Sequence, residues 1–293
     1  MPTRRRADRW HRWWGLVVLV VLVVVRATFA EARPEINSTL GSATAGCGAA
    51  AVGCWLWGGR GGRSVDGRAA LAGAMLLCGP LLGLVVGTPL EANSLVIALA
   101  LVPVVVGVAA TGFGQTTSQS LAGRVWPGLA AVAGLLLLLP EPSFASTAKD
   151  LLLGLSPVVT GVGAAMFCSR SFEGGALPGK ATAALSGAGL VFGLALVVTV
   201  VHTHGVPGFS LLATLFDGML ASLAVMTLVR LGATRWSAVF ALGPLVVLVE
   251  AIVLLRPKMD VRWVVGLGLL GVAALFLLLP QTDDGDVEAV VAD

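Results

Sequence analysis

Ten long apolar runs occupy nearly the whole sequence. In a bilayer, about 20 such residues folded as a helix cross the hydrocarbon and satisfy their own backbone hydrogen bonds. Hydrophobic residues make up 57% of the chain and charged residues 12%, a balance that soluble domains do not have. The sequence therefore predicts an all-α integral membrane protein with ten transmembrane helices.

The first run could be taken for a cleaved signal peptide, because Arg4, Arg5 and Arg6 lie before it. Arg26, Glu31 and Arg33 follow its apolar core, where a small-residue cleavage site would be expected, so we interpret it as a retained helix. In chain order, the predicted spans are 13–30, 39–58, 69–87, 92–111, 125–140, 149–168, 182–201, 209–229, 236–255 and 262–280.

The distribution of Lys and Arg predicts the orientation of these spans. If the N-terminus is cytoplasmic, the inside segments carry 13 basic residues and the outside segments carry 5, with Arg26 inside a span. Cytoplasmic loops are the basic ones. We therefore expect a multi-pass protein with both termini in the cytoplasm, and the Ala-, Val-, Gly- and Arg-rich composition suggests the inner membrane of a bacterium.

Two similar segments suggest an internal repeat. LAAVAGLLLLLP, ending at Pro140, and LLGVAALFLLLP, ending at Pro280, match at 8 of 12 positions. We divide the chain accordingly into residues 1–146 and 147–293, with five spans in each half and a short acidic tail after the second. An odd number of spans per half gives the two halves opposite orientations in the membrane.

The segments that carry a family resemblance are Gly- and Pro-rich. AALAGAMLLCGPLLGLVVGTPLEANSLVIALALVP, ending at Pro103, and the stretch from Phe216 to Pro280, with its RLGA turn and Pro244, resemble helices of EamA-type drug/metabolite transporters. Thr116 and Pro257 stand where that family usually has a glutamate. The resemblance implies two inverted five-helix repeats that carry a small polar metabolite by alternating access.

Three ionisable residues are predicted inside the outer half of the membrane: Arg26, Asp217 and Glu250. Charged groups at that depth are costly and commonly functional, and opposite charges could pair there. They would then line a substrate or ion path, with Asp217 or Glu250 accepting a proton. The alternative is that their spans end early and the side chains reach the membrane interface.

Pro103 and Pro244 lie at comparable places in the two halves, and proline removes an intrahelical hydrogen bond. Each is interpreted either as a static kink that serves packing or as a helix hinge beside the substrate path.

No catalytic, metal or cofactor site is predicted. The four cysteines lie in apolar runs, and His202 and His204 have no adjacent Cys, Asp or Glu. Gly174, Gly179 and Lys180 fit a phosphate loop, but Ala181 replaces the required Ser or Thr. The basic residues flank spans, so we expect no nucleic-acid partner.

These features predict a gradient-driven secondary transporter that exports a small metabolite, with the bilayer and a proton as its other partners. Two alternatives stay open. One is a scaffold or assembly partner derived from a carrier, which the sparse polar content of the spans would suit. The other is a polytopic enzyme acting on a lipid or glycolipid, which would need more clustered polar groups.

Overall fold

The computed structural model describes residues 2–29, 33, 35, 37–58, 66–86, 95–113, 121–139, 148–169, 177–203, 208–256 and 259–279. Over these ranges the chain is helical and contains no β-strand. Pro140 and Pro280, at the ends of the repeated pattern, lie outside the described residues, as do Thr116 and Pro257.

The helices, in chain order, are α1 (Pro2–Phe29), α2 (Leu40–Gly58), α3 (Gly67–Val86), α4 (Val102–Gly112), α5 (Leu121–Leu138), α6 (Ala148–Phe167), α7 (Leu177–Thr203), α8 (Leu211–Ser237), α9 (Val239–Leu255) and α10 (Val261–Leu278). A short helical segment, residues 95–99, precedes α4. Each predicted span overlaps a helix, and the 92–111 span covers both the segment 95–99 and α4. The largest differences are that α1 begins before the apolar run and that α8 continues past residue 229.

Within the described ranges, five helical stretches are long and apolar enough to cross a membrane. They are Leu95–Gly112, Leu121–Leu138, Leu177–Thr203, Leu211–Ser237 and Val261–Leu278. The surface is also suited to lipid, because α7 exposes Leu190, Leu194, Val197 and Val201 along one face. A contiguous apolar face of that kind would be unfavourable in water, so the fold is that of a helical membrane protein.

Exposed tryptophans lie near helix ends. Trp55 and Trp57 are in the last turn of α2, Trp126 is near the start of α5, and Trp14 is where the apolar part of α1 begins. Indole rings favour the membrane–water interface, where the apolar ring and the polar N–H both find suitable surroundings. Their placement is therefore consistent with helices whose apolar parts lie in the bilayer.

The helices pack in a network that joins the early and the late part of the chain. α2 lies against α7 and α8, and α3 lies against α6 and α7. α1 packs on α8 and α9, while α4 packs on α5 and α6. α5 lies against α10, which also contacts α9. The interior is thus formed between distant segments of the sequence, with α2, α3, α7 and α8 at its centre.

Glycine allows the closest of these crossings. A Cβ added to Gly73 of α3 would lie 2.2 Å from the Cα of Ala184 in α7, and one added to Gly46 of α2 would lie 2.8 Å from the backbone nitrogen of Gly218 in α8. Membrane helices associate through such close backbone contact, since burial from lipid supplies little driving force.

The predicted RLGA turn is a kink within α8. Gly232 has φ 79° and ψ 166°, a conformation open to glycine, and the chain resumes a helix until Ser237 before α9 begins at Val239. The two prolines differ in position. Pro103 is the second residue of α4, just after the helix is interrupted at residues 100–101, whereas Pro244 is inside α9.

Replacing Gly73 with valine should lower the melting temperature of the detergent-purified protein. The added side chain meets the backbone of α7, and overpacking of this kind costs about 1–3 kcal/mol. The matched control is Gly48→Val, because a Cβ at Gly48 has nothing within 4 Å. Equal loss of thermal stability in the two variants would contradict the close α3–α7 crossing.

Candidate substrate cavity

A cavity of about 520 Å³ lies among α1, α2, α3, the segment 95–99, α8 and α9. Its wall is mostly apolar. The lining residues are Leu19, Val23, Arg26, Asn37, Ser38, Ala43, Cys47, Leu77, Val96, Leu99, Asp217, Leu220, Ala221, Ala224, Trp236, Val239, Phe240 and Pro244. The charged and hydroxyl groups in this set come from the end of α1, the start of α8 and the residues just before α2, so they lie together at one end.

An ion pair stands at that polar end. Arg26 Nη1 lies 2.8 Å from Asp217 Oδ1, and the two side chains are 19% and 4% exposed. The Nη2 of Arg26 donates a hydrogen bond to Ser38 Oγ, and the Ser38 hydroxyl donates to Asp217 Oδ1. Arg26, Ser38 and Asp217 therefore each bond to the other two, and together they connect α1, the segment just before α2, and α8.

Ser42 supplies a further donor to the carboxylate. Its hydroxyl lies 2.8 Å from Asp217 Oδ2. The position of Ser42 is fixed locally, because the Thr39 amide donates to Ser42 Oγ at 2.8 Å and the Ser42 amide donates to Thr39 Oγ1 at 3.1 Å. This is the reciprocal arrangement of a capping box at the N-terminus of a helix, here with serine in the third position.

The backbone of α2 brings these groups within reach of Asp217. A Cβ at Gly46 would lie 2.7 Å from the carbonyl oxygen of Thr214 and 3.0 Å from Cβ of Asp217. Only a residue without a side chain permits this approach. Asp217 thus has the guanidinium of Arg26 and two hydroxyl donors around it, so both of its carboxylate oxygens have partners.

Glu250, the third predicted site residue, does not line the cavity. It accepts a hydrogen bond from the Thr28 hydroxyl at 2.8 Å, and Thr28 is exposed. This bond joins the ends of α1 and α9 beside the ion pair. The structure therefore brings Arg26 and Asp217 together at the cavity and places Glu250 outside its lining.

The two prolines relate to the cavity through the residues that precede them. A proline nitrogen cannot donate to the carbonyl four residues earlier, which is Leu99 for Pro103 and Phe240 for Pro244. Leu99, Phe240 and Pro244 all line the cavity, whereas Pro103 is buried outside it. Both helix irregularities thus border the same space.

The aromatic part of the wall is Trp236 and Phe240. Their rings meet edge to face, with centroids 5.3 Å apart and planes at 75°. Trp236 is 3% exposed, and its indole nitrogen has no hydrogen-bond partner among the described residues. Ser38, Ser42 and Trp236 are not among the site residues predicted from the sequence. Only Ser42 had a local signal, the spacing of a helix cap after Thr39.

The described residues contain no group of three or more His, Cys, Asp or Glu side chains that could hold a metal ion. His202 lies exposed in the last turn of α7, and His204 is outside the described part of the chain. All four cysteines are free, and Cys47 lines the cavity.

Comparison with known proteins gives a fold but no family. No family model matches the sequence, and no curated protein matches it. A solved structure described as "Crystal structure of protein" aligns over 90% of this chain and 98% of its own, with 15% sequence identity and a TM-score of 0.59. At this identity the likeness concerns the fold alone, which the two chains share over nearly their full lengths.

Removing one partner of the ion pair should destabilise the protein more than removing both. Asp217→Leu takes away the carboxylate that neutralises Arg26, and breaking a buried pair in this way costs about 3–5 kcal/mol. The double variant with Arg26→Met should recover much of that loss, as measured by melting temperature in detergent.

Glu250→Gln is the control for the loss of a carboxylate at the same end of the protein. Because Glu250 is only partly buried, we expect a change within about 0.5 kcal/mol. A double variant that is less stable than either single variant would show that Arg26 and Asp217 are not coupled.

Proposed function

We propose that this protein is a secondary transporter that moves a small molecule across the membrane through the cavity between two inverted five-helix halves. Its cellular setting in this proposal is the inner membrane of a bacterium, with both termini in the cytoplasm and export as the direction. The resemblance to EamA-type carriers, noted from glycine and proline patterns, belongs to the same proposal.

The cavity carries the proposal. Helices α1 to α3 and the segment 95–99 supply its wall from residues 1–146, and α8 and α9 supply the rest from residues 147–293. A volume of about 520 Å³ is within the range of small-molecule sites, about 300–1,000 Å³. Transporters with repeated halves bind their substrate at the interface of the repeats.

The packing network supports two equivalent halves. If the second half repeats the first, each helix of α1–α5 corresponds to the helix numbered five higher. Under this correspondence, the observed contacts form matching pairs: α1–α8 with α3–α6, α1–α9 with α4–α6, α2–α8 with α3–α7, and α4–α5 with α9–α10. The α2–α7 and α5–α10 contacts each join a helix to its own counterpart in the other half. The matching contacts α2–α8 and α3–α7 both contain glycines. These are Gly46 and Gly218 in the first contact, and Gly73 and Gly187 in the second.

Polar contacts between the halves are concentrated at one end of the cavity. The Arg26–Asp217 pair joins α1 to α8, and the Thr28–Glu250 hydrogen bond joins α1 to α9. In the proposed cycle, this end opens when both contacts and the Ser38 and Ser42 hydrogen bonds to Asp217 separate. A proton that neutralises Asp217 would weaken its attraction to Arg26, which links opening to a proton gradient.

Efflux from proteoliposomes tests the proposal. Vesicles containing purified protein are loaded with a defined mixture of small metabolites, and compounds that leave are identified by mass spectrometry. We expect faster efflux of at least one compound than from protein-free vesicles. Ala221→Phe should remove most of that efflux, because Ala221 lines the cavity and a phenyl group would fill part of it.

Met219→Phe is the matched control, since Met219 is on the same helix but 51% exposed on the outer surface. Its efflux should equal that of the unaltered protein. Efflux of no compound above the protein-free rate would contradict the transporter and favour a scaffold, whereas new products in the vesicles would reveal an enzyme. Unchanged efflux by Asp217→Asn at every pH would exclude the proton role.

A further inference from the structure

The Arg26–Asp217 ion pair is part of the cavity wall, so it determines which charges a bound molecule meets. Among the described residues that line the cavity, these two are the only charged ones. Arg26 Nη1 and Asp217 Oδ1 are 2.8 Å apart. A molecule in the cavity therefore meets a cation and an anion together, and opposite charges at this spacing offset each other's attraction for a third charge.

Hydrogen bonds within the protein engage both members of the pair. The Ser38 hydroxyl donates to Asp217 Oδ1 and the Ser42 hydroxyl donates to Oδ2. Arg26 donates through Nη1 to Asp217 and through Nη2 to Ser38. An ionic group entering the cavity would have to break some of these bonds before it could pair with either residue. It would also lose its hydration, and an ion without a partner in an apolar site is strongly disfavoured.

The remainder of the wall offers little to a polar molecule. Apart from the ion pair, Asn37, Ser38, Cys47 and Trp236, every described lining residue is an aliphatic residue, a phenylalanine or a proline. A sugar carries several hydroxyl groups that bond to water, and most of them would lose those bonds here without replacement. An apolar molecule of matching size instead gains free energy by leaving water.

We propose that the Arg26–Asp217 pair makes the cavity selective for small molecules that are uncharged and mainly apolar. This rests on the proposed function and names its substrate class, which differs from the polar metabolite that the EamA resemblance implies. The pair acts as a specificity determinant, because each charge prevents the other from attracting an ion. Removing either member should therefore create a preference for the charge that is lost.

Four probes separate charge from polarity. 1-Acetylnaphthalene is uncharged, 1-naphthoate is an anion and 1-naphthylmethylamine is a cation at neutral pH, and the three are similar in size. Glucose is uncharged but polar. Binding to purified protein in phosphatidylcholine nanodiscs is measured by equilibrium dialysis, with empty nanodiscs subtracted. We expect the ketone to bind at least about 10-fold more tightly than either ion, because the ions lose hydration without gaining a partner. Glucose should not bind.

Removing one member of the pair tests its role directly. Asp217→Asn leaves the Arg26 guanidinium without its counter-ion, so the affinity for 1-naphthoate relative to the amine should rise about 10-fold or more. Arg26→Gln leaves the Asp217 carboxylate, and the amine should gain instead. Because all proteins are measured in the same lipid, partitioning into the bilayer cannot produce these opposite changes. A purely structural role of the pair would weaken the binding of all probes alike.

Glu35→Gln and Arg33→Gln are the matched controls. Each removes one charge of the same sign as Asp217 or Arg26. Both residues are exposed between α1 and α2, and neither lines the cavity. Both variants should retain the preference of the unaltered protein for the ketone.

The inference is overturned if the unaltered protein binds either ion or glucose as tightly as the ketone, if it binds no probe, or if Asp217→Asn and Arg26→Gln fail to shift the preference in opposite directions. The probe comparison on the unaltered protein decides the matter where a variant does not fold. Selective binding of the ketone without efflux of any compound would uphold this inference and count against the transporter. Efflux of a charged metabolite through the cavity would do the reverse.

Discussion

A carboxylate removed from water needs a cation and hydrogen-bond donors around it, and this requirement at Asp217 organises one end of the molecule. Arg26 provides the charge, and Ser38 and Ser42 provide hydroxyl donors. The three lie on different parts of the chain, so satisfying one buried group fixes α1, the start of α2 and α8 relative to one another. Removing one partner leaves a charged group buried without its counterpart. This lowers the free energy of unfolding more than replacing the whole pair with apolar residues would.

Close helix contact makes that arrangement possible. Ser42 reaches Asp217 because α2 and α8 cross where Gly46 meets Gly218, and a similar crossing joins α3 to α7. Where the helices separate, between the inner parts of α1, α8 and α9, the cavity remains, with apolar walls and Trp236 at its side. Tight crossings and an internal space are thus two consequences of the same small-residue packing.

The sequence predicted the helices well because bilayer thickness sets their length and apolar runs mark them directly. It also suggested that Arg26 and Asp217 could pair, since both were placed at similar depth. Depth could not distinguish Asp217 from Glu250, because burial depends on which face each helix turns inward. Ser38 and Trp236 were missed for a related reason. Their partners or neighbours in the cavity are set by packing between distant helices, and no local pattern marks them.

Access to the cavity from each side of the membrane tests the central claim most directly. The four native cysteines are replaced by alanine, Ala221→Cys is introduced into the cavity wall, and an impermeant methanethiosulfonate reagent is applied to one face of proteoliposomes at a time. Alternating access predicts modification of the cavity cysteine from either face, while Met219→Cys, on an exposed side of α8 that we expect to face lipid, resists both. Modification from one face only, or from neither, would contradict a transport path through this cavity.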